Sequence, residues 1–153
     1  MNSVLFHSGE GEWQTPKYLF DELNKEFHFT VDAAATKENA LCGKYWTKED
    51  DAFKQDWGKE VIYLNPPYGR GVGKWVEKAY ESSKDGATVV MLLPVRSDTA
   101  WAFDYIHGKA EIRFIRGRLK FGHPDGTCNA APFPSWVVIF RPQSHFWDLG
   151  GKT

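Results

Sequence analysis

Cysteine is scarce in this chain. Cys42 and Cys128 are the only two in 153 residues. They form no C-x-x-C pair, so neither a thiolate metal site nor a disulfide framework has a spacing to rest on. Both read as free thiols of a reducing compartment. A surplus of charge is missing too: 19 Lys and Arg stand against 20 Asp and Glu, a formal net charge of −1. That excludes a global basic signature, and any nucleic-acid contact must come from a local patch. No apolar window reaches transmembrane length, and the opening MNSVLFHSGEGEW has no basic stretch followed by a long apolar run. The expectation is a cytoplasmic protein with no membrane partner. His7, His28, His107, His123 and His145 are scattered, which gives no support to a metal site or a catalytic dyad. There is no internal repeat and no low-complexity segment.

Apolar residues are plentiful, at 42% of the chain, and aromatics make up 16%, with seven Trp. A chain of this length builds a core without staples and fits one domain, 1–153. Large rings dominate burial, so most of these aromatics belong in that core. Residues 1–12 and 143–153 read as loose ends around an ordered core of about 12–142.

TPKYLFDELNKEF predicts a helix with Thr15 as N-cap, Pro16 in the first turn and Leu19, Leu23 and Phe27 on one face. A short strand over 28–32 ends at Asp32, and VIYLN (61–65) is a second strand. Helices are expected near 73–84 and 98–107, the latter capped by Asp98. ATVVMLLP (87–94) is the most apolar run and reads as a strand covered on both faces. AEIRFIRG and SWVVIFRP are the last strands, and 117–134 reads as a long loop. Strand–helix–strand alternation predicts an α/β sheet with parallel central strands. Ligands of such sheets sit beyond the carboxyl ends of the strands, where Asp32, Asn65 and Pro94 fall.

Strand 61–64 runs into Asn65, Pro66, Pro67 and Tyr68. Two prolines remove two ladder donors and stiffen the backbone, and Asn65 is pushed towards an extended conformation. Carbonyl oxygens are left unpaired, and the Asn65 side chain adds another acceptor. The Tyr68 ring supplies a flat face. Two fixed acceptors and a flat face suit a planar ligand with an exocyclic amino group. An RNA adenine or a protein glutamine would also fit, and the tetrapeptide alone does not separate them.

NPPY at 65–68 matches the catalytic motif of S-adenosylmethionine-dependent amino-methyltransferases. EWQTPKYLFDELNKEF, FTVDAAATKENA, KYWTKEDDAF, NPPYGRGVGKWVEKAY, TVVMLLPVRSDTAW, IRFIRGRLKFG and APFPSWVVIFRP together resemble phage-type DNA N6-adenine methyltransferases, the Dam family, over about residues 12–142. The resemblance implies a compact Rossmann-like fold with a mostly parallel sheet, shortened between the first strand and the catalytic one. It implies S-adenosylmethionine as methyl donor and a flipped adenine in DNA as acceptor, in a host cytoplasm if the chain is phage-encoded. By position, Asn65 and the Pro66 carbonyl would accept from the adenine amino group, and Pro67 and Tyr68 would complete the turn and the stacking face.

Trp13, Thr15 and Pro16 fall in the family's N-terminal cofactor-contacting segment. Asp32, Ala33 and Ala34 fall where related enzymes carry an acidic residue and glycines. The usual Gly-rich loop is absent, and DAAATKEN stands in its place. That departure motivates the reading of a non-catalytic nucleic-acid-binding relative. It also makes Asp51 the first choice, over Asp50 and Asp56, for clamping the donor. For DNA, Arg70, Arg96, Arg116, Arg118 and Lys120 are the expected phosphate contacts, and Phe133 is a second wall for the base. Sequence readout falls to the 117–134 loop or to the partner in a homodimer, or is weak.

Overall fold

The computed structural model describes residues 13–123 and 125–142; the segments 1–12 and 143–153, read above as loose, lie outside the described residues. In chain order the elements are α1 (Lys17–Phe27), β1 (Val31–Asp32), a 3₁₀ turn (Ala52–Lys54), β2 (Val61–Leu64), α2 (Val72–Lys84), β3 (Thr88–Pro94), a π-helical turn (Ala102–Ile106), β4 (Glu111–Phe114), β5 (Lys120–Gly122), β6 (Cys128–Ala130) and β7 (Ser135–Phe140). Five strands form one sheet in the order β1-β2-β3-β7-β4.

Period-two alternation sorts the sheet residues onto two faces. Ile62, Leu64, Val89, Met91, Leu93, Trp136 and Val138 pack with Val72, Val76 and Ala79 of α2. Tyr63, Val90, Leu92, Val137 and Ile139 pack on the other side with Phe20 and Leu23 of α1 and with Phe121 of β5. The run 89–93 is fully buried, as its continuous apolar pattern predicts.

The expectation of a mostly parallel sheet is corrected. β1, β2 and β3 are parallel, but β7 runs antiparallel to both β3 and β4, so the sheet is mixed. After β4 the described chain has no helix to carry it back to the starting end. It turns through β5 and β6 and re-enters between β3 and β4 from the far end, a pairing that needs no crossover.

Three local expectations are corrected as well. The 117–134 loop contains an antiparallel hairpin, β5 on β6. Its strands are three residues long and β6 is exposed throughout, so no apolar alternation marks them. The available signal was Asp125-Gly126, a hairpin-turn pair, with Gly126 at φ 90°. Thr15 is not the cap of α1: Pro16 holds that position with extended backbone and no side-chain cap bond. The helix expected over 98–107 is present over 100–106, π-helical from Ala102 to Ile106, but its start is held by Thr99 rather than Asp98, with the Ala102 N–H donating to Thr99 Oγ1 at 3.3 Å.

Candidate active site

Residues two apart on a strand share a face, so Asn65, just past β2, points to the same side as Tyr63. This is the side on which α1 packs. The segment before α1 is tied down there. Gln14 exchanges two backbone hydrogen bonds of 3.0 Å with Gly122 of the hairpin. The Trp13 ring lies edge-on to Phe121 and Phe133, each at 5.4 Å between centroids.

Asn65 Nδ2 donates to the Trp13 carbonyl at 2.6 Å and to Thr15 Oγ1 at 3.2 Å. A backbone carbonyl only accepts, so it is the amide nitrogen that faces Trp13 and the oxygen faces away. That oxygen, Asn65 Oδ1, is buried and has no partner among the described residues. A buried acceptor left unmade costs about 1–3 kcal/mol, which is a reason to look for a ligand that donates to it. The Pro66 carbonyl takes no part in the described turn or ladder bonds.

Tyr68 donates to the Leu92 carbonyl at 3.1 Å, and its ring stands edge-on to Phe133 at 5.6 Å. The ring is therefore fixed from its far end while part of it stays exposed. Burial holds the phenols of Tyr63 and Tyr68 well above their ordinary range, so both remain protonated donors at neutral pH.

Asp32 is 3% exposed. Its Oδ2 accepts from the Leu41 N–H at 3.0 Å, and no cation among the described residues pairs with it. Burial pushes its carboxyl up to about 6, against the lowering effect of backbone N–H groups of Leu41 and Ala34. Partial burial of Cys42, with the nearby Asp32 charge, raises its thiol to about 11.

One cavity joins Asn65 to Asp32; Pro67 and Tyr68 do not line it. Its walls include Trp13, Thr15, Asp32, Ala34, Asn65 and Pro66, so six of the expected residues meet there. Gln14, Asn39, Leu41 and Tyr63 also line it and were not singled out from the sequence. Tyr63 was within reach, since it alternates with Asn65. Asn39 belongs to a reciprocal turn in which its Oδ1 accepts from the Thr36 N–H at 2.7 Å and its own N–H donates to Thr36 Oγ1 at 3.2 Å. This turn occupies the place of a Gly-rich loop.

Other expected residues lie outside the cavity wall. Pro16 caps α1, and Ala33 is buried with its N–H on the Tyr63 carbonyl at 3.0 Å. Asp51, at φ 58°, starts the 3₁₀ turn and accepts from the Phe53 N–H at 3.0 Å. Asp50 and Asp56 are likewise engaged with local N–H groups, of Thr47 and Gly58.

Arg70, Arg96, Arg116, Arg118 and Lys120 are all exposed, and none makes an ion pair with a described residue. The register pairs Pro94 with Ser135 and Phe114 with Trp136, so the ends of β3 and β4 and the start of β7 share one sheet edge. Arg96, Arg116 and Phe133 follow from that edge, as Arg70 does from Asn65. Arg113 is different: it holds Glu26 of α1 through two bonds of 2.7 and 2.8 Å and is a structural tie.

A family model described as DNA N-6-adenine-methyltransferase (Dam) matches residues 2–148. The chain belongs to this family. It is 36% identical over 109 residues to the DNA N-6-adenine-methyltransferase of Escherichia phage T1, a stretch covering 70% of this chain and 45% of that protein. The chain thus spans less than half the length of that Dam relative. It is also 36% identical over 64 residues to a protein of Escherichia coli (strain K12) named "Putative methyltransferase YfdM", covering 37% of this chain and 70% of that one. Among the described residues of this Dam-family chain, no helix is long and apolar enough to cross a membrane.

Proposed function

We propose that the protein is a Rossmann-like DNA adenine N6-methyltransferase that takes its methyl group from S-adenosylmethionine. The observation that carries the reading is Asn65 Oδ1, a buried acceptor with no partner among the described residues, next to two prolines and a fixed Tyr ring. Family membership supplies the substrate class.

The donor fits the cavity by its chemistry. Asp32 is a buried carboxylate with no cation paired to it among the described residues, and the donor carries an ammonium group. Ala34 leaves room for close approach, and Trp13 and Thr15 close the other wall. When bound, S-adenosylmethionine supplies an electrophilic methyl group on a sulfonium. Asn65 Oδ1 and the Pro66 carbonyl accept from the adenine amino group, which withdraws its lone pair from the ring and makes it available for attack. Tyr68 and Phe133 hold the base. Catalysis is then positioning plus electrostatics, with no covalent enzyme intermediate.

A target base inside a duplex cannot reach this turn, so the adenine is extruded. The five unpaired basic residues hold the flanking phosphates. The β5–β6 hairpin is our candidate for sequence readout, since a two-stranded ribbon fits the major groove.

Transfer of a labelled methyl group to adenine-containing duplex, followed by nucleoside analysis, tests the reading. The expected product is N6-methyladenine, with Asn65→Ala lowering kcat by about a hundredfold to a thousandfold. No transfer, or transfer indifferent to Asn65→Ala, overturns it.

A further inference from the structure

A side-chain amide is nearly symmetric in shape, so Asn65 has a wrong orientation available to it. Rotated by half a turn, it would present an NH₂ group to the substrate's own amino group, two donors face to face. Something must prevent that rotation. The Trp13 carbonyl decides which end points inward, but it holds only one of the two amide protons. The second proton lies on Thr15 Oγ1 at 3.2 Å and fixes the plane of the amide.

Thr15 is itself held from behind. Its hydroxyl stands 2.5 Å from the Tyr63 hydroxyl. Tyr63 is 1% exposed, and Thr15 is the sole hydrogen-bond partner of its hydroxyl among the described residues. A buried phenol needs a partner, so this contact keeps Thr15 in the rotamer that meets Asn65. The layout explains why Thr15 does not cap α1: its hydroxyl is already engaged.

We propose that Thr15 and Tyr63 are positioning residues that lock the Asn65 amide with Oδ1 facing the acceptor amino group. The proposal rests on the methyl-transfer reading for its catalytic consequence, though not for the lock itself.

The test uses Thr15→Val, which keeps shape and removes the hydroxyl, Thr15→Ser, which restores it, and Tyr63→Phe. In the full chain without ligand, hydrogen exchange of the Asn65 side-chain amide is followed by nuclear magnetic resonance. Slow exchange is expected in the wild type and in Thr15→Ser, and accelerated exchange in Thr15→Val and Tyr63→Phe. On duplex substrate, Thr15→Val is expected to lower kcat by about tenfold to a hundredfold with KM for DNA nearly unchanged, and Thr15→Ser to recover most of it. Tyr63→Phe should show a smaller kcat loss of the same kind, and it carries the test if Thr15→Val does not fold. Unchanged amide exchange in both hydroxyl-removing variants overturns the lock. Equal kcat losses in Thr15→Ser and Thr15→Val overturn it as well, because shape alone would then explain them. Should the protein transfer no methyl group at all, the exchange measurement still decides the lock, and the failure falls on the functional reading alone.

Discussion

Asn65 and Asp32 are buried polar groups that the folded protein leaves incompletely satisfied, in different ways. Asn65 has both protons bonded and its oxygen bare. Asp32 has backbone N–H groups for company but no cation, and burial lifts its carboxyl from 3.8 to about 6. The sign of the consequence follows from linkage. Between those two pH values the folded chain binds the proton more tightly than the unfolded chain, so stability falls as pH rises through that window. The loss is about 2–3 kcal/mol at most and levels off above pH 6. Asp32→Asn is therefore expected to raise the urea midpoint at pH 7.5 and to remove this pH dependence, while weakening S-adenosylmethionine binding by calorimetry. In the wild type, if the ammonium group of the donor pairs with Asp32 as proposed, donor affinity is expected to climb between pH 5 and about 6 and then flatten. A donor affinity that is flat over this range would remove Asp32 from the donor site.

At the scale of elements, the turn after β2 depends on Gly69. Its φ of 128° lies where an L side chain is strained, yet an added Cβ would touch nothing within 4 Å. The cost of Gly69→Ala is thus one of backbone conformation, about 1–3 kcal/mol. A lowered thermal midpoint is expected, together with a larger fall in kcat than in donor affinity, since the Asn-Pro-Pro-Tyr turn shifts while the Asp32 wall does not. Long, strongly patterned elements were legible in advance. The faces of α1 and α2 and the buried run of β3 follow from period alone. The hairpin was not, because short exposed strands carry no alternation, and its role appears only in the fold. Gly122 holds Gln14, and Phe121 seats Trp13, so the hairpin sets the wall that grips Asn65.

Over the whole molecule, charge is nearly balanced, at −1, so the proposed affinity for DNA would have to come from placement. Arg116, Arg118 and Lys120 are exposed and make no ion pair with a described residue, whereas Arg113 and Arg141 are tied to Glu26 and Glu111. Replacing Arg116, Arg118 and Lys120 by Ala together should weaken duplex binding at low salt. It should also reduce the slope of log affinity against log salt by about 2–3, with donor binding unaffected. The same changes at Arg113 and Arg141 should leave the slope alone.

The sequence by itself determined the build of the turn after β2. Asn65-Pro66-Pro67-Tyr68 after an apolar strand is a local statement, because proline stiffness and missing donors act within the turn. It also determined which strands are buried and which helix faces meet them. The tertiary structure alone decided the rest. The reversal of β7 depends on the chain having no crossover helix after β4. The isolation of Asp32 from any described cation depends on what packs around it. The orientation of the Asn65 amide depends on Trp13 and Thr15, some fifty residues away in the chain. Contacts at such separation leave no periodic trace, since they are set by which segments the sheet order brings side by side.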